Sequence, residues 1–540
     1  MLRPLRALAA LVLVAAAVGA GTVTSNAASG TPLWLLHARN YPGGLSNGVR
    51  AQASDEAASY SGSSSRSSSA AISNPDGTDV LANQKDSNPR LPQNETAVAH
   101  NEFDPLNAVA ASNDYVNGGL WIGTTFDGGR TWKSWFQSPR VHTSGDFCSG
   151  GDPTVVYSTR DRAFYAAQLC FFRAHPESEL QVYRSTDRGK TWTPGRLSAL
   201  VSSNISPSGR VDKTVFLDKE LLAVDNHPSS PYYGRLYMTY VKFHLVPPSG
   251  FSDYCPVMIG YTDDIDPNGD GDLRDSVWTN NNVVPDNPGD DGIGETANQF
   301  AAPTIDDQGG VNVAYALEDC NSSIDRGLRF KRSATGGASW PANPVKINKP
   351  GQFKDNPDSG DLLAPKAARA PISTSLAFNE VTGTLGVVYQ NNVNRSVSKA
   401  DITFQGSADY GATWSNIRYV SATGSGAPAP QDQFFPWIDV DASGDFHVVF
   451  YDNRNDPGNL WLDTFIAESD DDGLTWANTQ ISDVAWNPND GFFSSGAFIG
   501  DYNGLAVAGD DVAYPVWADG RNSPGSPLGQ TDIFTDPYTP

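Results

Sequence analysis

The chain has 540 residues, with 37 Lys and Arg against 61 Asp and Glu, a formal charge of −24. That length suits one very large domain or several ordinary ones, and charged residues at 18 % are too few for a solvated coil. The acidity argues against nucleic acid as a partner, because phosphates are repelled, and leaves cations, neutral ligands and glycans. Aromatics at 11 %, 51 Gly and 37 Pro point to β structure with many tight turns.

Residues 1–27 read as a signal peptide. Arg3 and Arg6 precede an apolar run, Ala7–Ala20, and small residues follow, with Ser25-Asn26-Ala27 as a cleavage tripeptide. The run is too short and Ala-rich for a transmembrane helix. A secreted monomer without membrane insertion is expected. Residues 28–89 read as a pro-segment and linker: Thr31–Arg50 as a loosely ordered pro-segment, Ala53–Asn74 as a Ser/Ala-rich flexible stretch. Within the same region Thr78–Ala82 is available as a closing strand.

From residue 90 to 540 the chain repeats. The pattern Ser/Thr-x-Asp-x-Gly-x-Thr-Trp occurs at Thr125–Trp132, Ser185–Trp192, Ser407–Trp414 and Ser469–Trp476. A decayed copy, Ser333–Trp340, carries Thr335 in place of the Asp. Such recurrence marks a repeat architecture, and the long period suits four-stranded blades with long loops. In each copy the Asp accepts bonds from turn amides, the Gly supplies a left-handed turn, and the Trp packs over it. Seven first strands are countable: Glu95–Val98, Asp152–Val155, Lys219–Leu222, Pro303–Ile305, Ser375–Phe378, Pro436–Ile438 and Gly504–Val507. The third and seventh units lack the motif. The expected fold is all-β, a seven-bladed propeller of four-stranded antiparallel blades.

The motif resembles the Asp-box, or BNR repeat, of sialidases and related β-propellers. In that family these boxes lie on the face away from the active site. Catalytic sialidase domains usually have six blades, so a six-bladed ring is the alternative. The resemblance implies a sialidase-like glycoside hydrolase acting on a glycan or polysaccharide. A non-catalytic glycan- or protein-binding propeller, or a polysaccharide lyase, remain as other readings.

On the face opposite the boxes the loops are long. Cys148 and Cys170 belong to one blade, and Cys255 and Cys320 to strand 2–3 loops of adjacent blades, so the pairs Cys148–Cys170 and Cys255–Cys320 are expected. Rim residues at first-strand starts are Glu95, Asp152, Gln299, Gln433 and Asp501, carboxylates among them suited to acid–base work. Arg454 and Arg521 end a repeated Asp-x-Arg, read either as local ion pairs or as anion binders. By resemblance, Arg90 in Arg90-Leu91-Pro92 stands where the family's first substrate-gripping Arg stands, with Leu91 replacing Ile. Tyr502, in Asp501-Tyr502-Asn503-Gly504-Leu505, stands where the family's nucleophile does. Asp152, Glu95 and Asp501 are its positional carboxylate partners.

The third unit carries Asp264, Asp266, Asn268, Asp270, Asp272 and Asp275 at positions 1, 3, 5, 7, 9 and 12 of a loop with Gly269 at position 6. This is the spacing of a calcium loop, with Asp rather than Glu at position 12. A structural calcium is expected there, and no organic cofactor.

Overall fold

The structure is a computed structural model. It describes residues 31–41, 44–46, 48–50, 78–83, 92–115, 119–137, 148–172, 175–284, 299–356, 358, 361–394, 399–490, 492–493, 496–509, 512–521 and 531–539. The signal peptide, the Ser/Ala-rich stretch and Arg90 lie outside the described residues.

Seven antiparallel sheets, each four strands deep, succeed one another and close into a ring; the third carries an extra strand, Phe251–Tyr254, paired with its second strand. Their innermost strands are Gln93–Asn101, Ser149–Ser158, Val215–Val224, Gln299–Ile305, Thr374–Asn379, Gln433–Val440 and Gly504–Ala508. The fold is a seven-bladed β-propeller, which removes the six-bladed alternative. Each blade is covered on both faces by its neighbours. Second strands such as Ala163–Phe171, Thr384–Asn391 and Phe446–Asp452 are therefore buried at every residue. Outer strands such as Ala477–Gln480 alternate between exposed and half-buried. The apolar clusters lie between adjacent blades, not inside them: Trp121 and Trp132 of blade one pack with Tyr514 and Val516 of blade seven.

Val80–Leu81 pairs antiparallel with Asp532–Thr535 and forms the outer strand of blade seven. This explains why that blade lacks the repeated motif. Elsewhere the motif makes the turn between third and fourth strands, and in blade seven the fourth strand comes from the other end of the chain. Pairing this early strand with the last one closes the ring, and each blade keeps only its inner edge at the channel and a short outer edge.

The motif's chemistry repeats with little variation. Asp127 accepts from the Thr131 amide at 2.9 Å and its hydroxyl at 2.7 Å. Asp187, Asp409 and Asp471 do the same with Thr191, Thr413 and Thr475. In the decayed copy the Thr335 hydroxyl takes over, accepting from the Ser339 amide at 2.9 Å. The motif glycine also touches the preceding blade. At Gly411, with φ +83°, an added Cβ would stand 1.9 Å from the Phe330 ring. Gly411→Ala is expected to lower stability by about 1–3 kcal/mol through overpacking and backbone strain. An unchanged urea midpoint would contradict that contact.

The segment expected to be loosely ordered is instead packed. Helix Leu33–Asn40 lies on blades two and three. Trp34 stacks on Phe216 at 5.4 Å, meets Phe171 edge-on at 5.1 Å, and donates to the His175 carbonyl at 3.0 Å. Trp34, Ala38, Leu45 and Val49 all enter the apolar cluster shared by these blades. Polar, Gly-rich surroundings hide these anchors in the sequence.

Disulfides join Cys148 to Cys170 and Cys255 to Cys320, as expected. Among the described residues no helix is long and apolar enough to cross a membrane.

Candidate functional site

The first strands line a central channel of about 780 Å³ that narrows towards their N-terminal ends. At that narrow end five of these strands carry the same local feature. A bulge interrupts the pairing of blades one, two, three, four and six. At it a non-glycine residue adopts a left-handed backbone: Glu95 (φ 57°), Asp152 (52°), Lys219 (57°), Phe300 (48°) and Phe435 (56°). Such a conformation costs about 1–3 kcal/mol at each position, and bulges commonly re-aim a side chain at a functional site.

Four of the residues so placed, Glu95, Asp152, Lys219 and Phe300, form one cluster, whereas Phe435 packs against Phe434 and Tyr451. Lys219 Nζ lies 2.5 Å from Asp501 and 4.0 Å from Asp152. The ammonium also sits over the Phe300 ring at 4.4 Å and the Tyr502 ring at 5.5 Å. Asn113 donates to Glu95 through Nδ2, and its Oδ1 accepts from the Asp152 amide at 2.9 Å. Trp437 faces Tyr502 with ring centres 6.0 Å apart. Asp218 and Glu220 flank Lys219, and both Glu220 carboxylate oxygens are buried without a partner. Five carboxyl groups thus surround one ammonium in a buried, partly aromatic setting.

Burial drives the protonation of this cluster. Glu95 is pushed well above the usual carboxylate range by burial, then by Asp152 and Asp501. Glu220 is raised in the same way, by burial and Asp152. Burial works against the Lys219 ammonium, but Asp501, Asp152 and Glu95 outweigh it and hold its pKa above the ordinary value. The Tyr502 phenol is pushed well above its usual value by burial, Asp152 and Glu95, and donates to the Pro153 carbonyl at 3.2 Å. That is the reverse of an activated nucleophile.

Buried acids inside and outside the cluster set a pH dependence. Burial raises Asp218 to about 8, Asp79 to about 7 and Asp463 to about 6. Between the ordinary 3.8 and these values the folded chain binds more protons than the unfolded one. The stabilisation is full below the unfolded value and is lost as pH rises towards 8. At Asp409 the Thr413 hydroxyl leads in lowering the pKa; at Asp127, Asp187 and Asp471 burial opposes but the Thr bonds outweigh it. These groups act in the opposite sense, losing their contribution as pH falls below the carboxylate range. The melting temperature is expected to be higher at about pH 5 than at about pH 8. Equal values at the two would contradict the buried-acid account.

The candidates named from the sequence fall into two groups. Glu95, Asp152, Asp501 and Tyr502 are brought together. Arg454 and Arg521 are placed elsewhere, in the outer halves of blades six and seven. Arg454 pairs with Asp452 at 2.6 Å and reaches Asn478 at 2.7 Å. Arg521 pairs with Asp519 at 2.7 Å and with Asp79 beside the closing strand. Each lies over a third-strand ring at 4.3 Å, Phe465 and Phe534. They fasten equivalent strands within their blades. Lys219, Asp218 and Glu220 were missed as site residues. The signal was a charged triplet inside an otherwise apolar strand, in register with Asp152 of the preceding blade.

The acidic loop of blade three occupies the same third-to-fourth-strand turn as the repeated motif. Asp266 pairs with Arg184 and Asp272 with Arg274, and Asn268 donates to Asp275. Among the described residues no three Asp, Glu, His or Cys side chains converge as a metal site. Asp266 Oδ1 is nevertheless buried without a partner.

Over the narrow end of the channel lies the N-terminal segment. The Ser46 amide donates to Asp218 at 2.6 Å and the Gly44 amide to Glu318 at 3.4 Å. Gly48 sits so close that a Cβ there would stand 3.0 Å from Glu95 Oε2 and 3.2 Å from Asp152 Oδ1.

No family model matches the chain, and no curated protein matches it. Among solved structures, the neighbours include a Hadza microbial sialidase, 14 % identical over 80 % of this chain and 72 % of that one, TM-score 0.43. The Trypanosoma rangeli sialidase is 15 % identical over 74 % of this chain and 57 % of that one, TM-score 0.42. A Dyadobacter fermentans protein of unknown function is 13 % identical over 74 % and 96 %, TM-score 0.43.

Proposed function

We propose that the protein is a secreted glycoside hydrolase acting at the narrow end of the channel on neutral or amine-bearing sugars. The observation that supports this is the convergence of Glu95, Asp152 and Asp501 on Lys219. Glycosidic cleavage needs one carboxyl group that holds its proton and one that is ionised. Glu95, kept protonated by burial and its acidic neighbours, donates to the leaving oxygen. Asp501, ion-paired with Lys219, or Asp152 beside it serves as the carboxylate. Phe300, Trp437 and Tyr502 offer ring faces to the apolar side of a sugar.

The charge balance separates this reading from a sialidase. A sialic acid carboxylate needs a gripping guanidinium. Among the described residues five carboxyl groups meet Lys219, the Arg369 guanidinium that lines the neighbouring recess is paired with Asp361 at 3.0 Å, and Arg454 and Arg521 are committed elsewhere. The same repulsion disfavours a uronate, and with it a lyase. Tyr502 acts as a wall, not a nucleophile.

Secretion is supported by the leader sequence and two disulfides. The test is a panel of neutral, amine-bearing and sialylated glycosides, measured on the intact protein and on protein freed of residues 31–50. Turnover of neutral or amine-bearing substrates is expected. Turnover of sialosides alone would overturn the reading. Complete burial of the cluster favours a second reading, a glycan-binding propeller without catalysis. Binding on a glycan array without release of reducing ends would decide for it.

The acidic loop is proposed to hold calcium, with Asp264, Asp266, Asn268, Asp270, Asp272 and Asp275 as its oxygen donors. The unpartnered Asp266 oxygen and the six-residue donor set suit a hard cation. Saturating calcium at about a hundred times Kd is expected to add about 2.7 kcal/mol over chelator. Asp266→Asn should abolish that gain. Identical melting in calcium and chelator, with no bound calcium by elemental analysis, would exclude it.

A further inference from the structure

The carboxyl cluster is inaccessible in this form of the chain. Glu95, Asp152 and Asp501 are each at most 2 % exposed. What seals the channel mouth includes a segment separate from the blades. Gly44 and Leu45 line a small recess together with Lys219, Phe300 and Asp501. Gly48 rests on Glu95 and Asp152, and the amides of residues 44 and 46 donate to Glu318 and Asp218. Arg50 follows, largely buried, in the field of Asp361, Glu318 and Asp501, and donates to the Tyr41 carbonyl at 2.7 Å. The segment thus offers the acids only donors and a cation.

Its attachment is separable from the ring. Helix Leu33–Asn40 docks by Trp34 and Ala38 onto blades two and three. The closing strand Val80–Leu81 is a different part of the chain, and residues 51–77 join the two. Cutting that connection would leave all seven blades with four strands.

We propose that residues 31–50 are an intramolecular occupant of the catalytic mouth, holding the protein inactive until they leave. It rests on the reading of this mouth as the ligand site. The occupant marks the chemistry of the ligand it displaces: a group rich in hydrogen-bond donors, neutral or cationic, such as an unacetylated amino sugar.

The test uses the full chain with a protease recognition sequence in place of residues 63–69, and the same chain carrying Trp34→Ala. Both are cut and passed over a sizing column. Carboxyl groups are then labelled with a carbodiimide and an amine, and read by peptide mass spectrometry. After cutting, the fragment that carries residues 31–50 is expected to leave, at least from the Trp34→Ala chain. Labelling of Glu95, Asp152 and Asp501 should rise about tenfold or more, as for a buried group made accessible. A synthetic 31–50 peptide should return labelling to its starting level. The proposal is overturned if the fragment stays bound in both chains, if it leaves without a rise in labelling, or if the ring unfolds with it. These readouts need no substrate. Labelling that rises without hydrolysis of any glycoside would leave the occupant in place and remove only the hydrolase reading.

Discussion

Glu95→Gln, in protein freed of residues 31–50, is expected to lower turnover of a neutral glycoside by about 10²–10⁴-fold, the usual worth of a positioned general acid. The amide keeps the acceptor that Asn113 uses, so the fold and the binding of substrate should change little. The pH profile gives a more specific signature. In the closed chain Glu95 is raised by burial, Asp152 and Asp501, and the two acids remain when residues 31–50 leave, so activity should fall on the alkaline side as it loses its proton. That limb should vanish in the variant. A substrate whose leaving group departs without protonation should recover most of the lost rate. Equal loss on good and poor leaving groups would show that Glu95 is not the acid.

Lys219→Met is expected to have the largest effect on stability. Removing one partner of a buried ion pair costs about 3–5 kcal/mol, because the remaining charge is left in a dry site. The charges left unpaired here are Asp501 and Asp152, with Glu95 beyond them. The loss should be worst at high pH, where protonation cannot relieve it. Adding Asp501→Asn should restore a good part of the urea midpoint, since a neutral pair no longer carries the uncompensated charge. A single variant that costs under about 1 kcal/mol would mean that the lysine is not the counter-ion holding this cluster.

The fold was legible because its signals repeat. The seven first strands share an apolar pattern, and five turns share an eight-residue motif with a Trp anchor. The sequence offered Thr78–Ala82 as a closing strand, and Val80–Leu81 fills that place in blade seven. Both cysteine pairs followed from which loops meet on one face. The site was only half legible. Glu95, Asp152 and Asp501 stand at strand starts, where rim residues are expected. Lys219 was hidden because a cation inside Val215–Val224 reads as an exposed strand position until the bulge that turns it inward is seen. The Asp-x-Arg pairs were ambiguous for a different reason. An arginine that grips a ligand and one that grips the aspartate two residues before it have the same sequence, and only Asn478 and Asp79 reveal the second case. The N-terminal occupant was missed because its anchors, Trp34, Leu45 and Val49, are spaced for partners far away in the chain.

The most direct test of the central claim is a crystal structure of protein freed of residues 31–50, soaked with an oligomer of an unacetylated amino sugar. Sugar density is expected at the narrow end of the channel, beside Trp437 and Tyr502, with a glycosidic oxygen within hydrogen-bond reach of Glu95. Density confined to the wide end of the channel or to the face of the repeated turns, with the carboxyl cluster untouched, would contradict it.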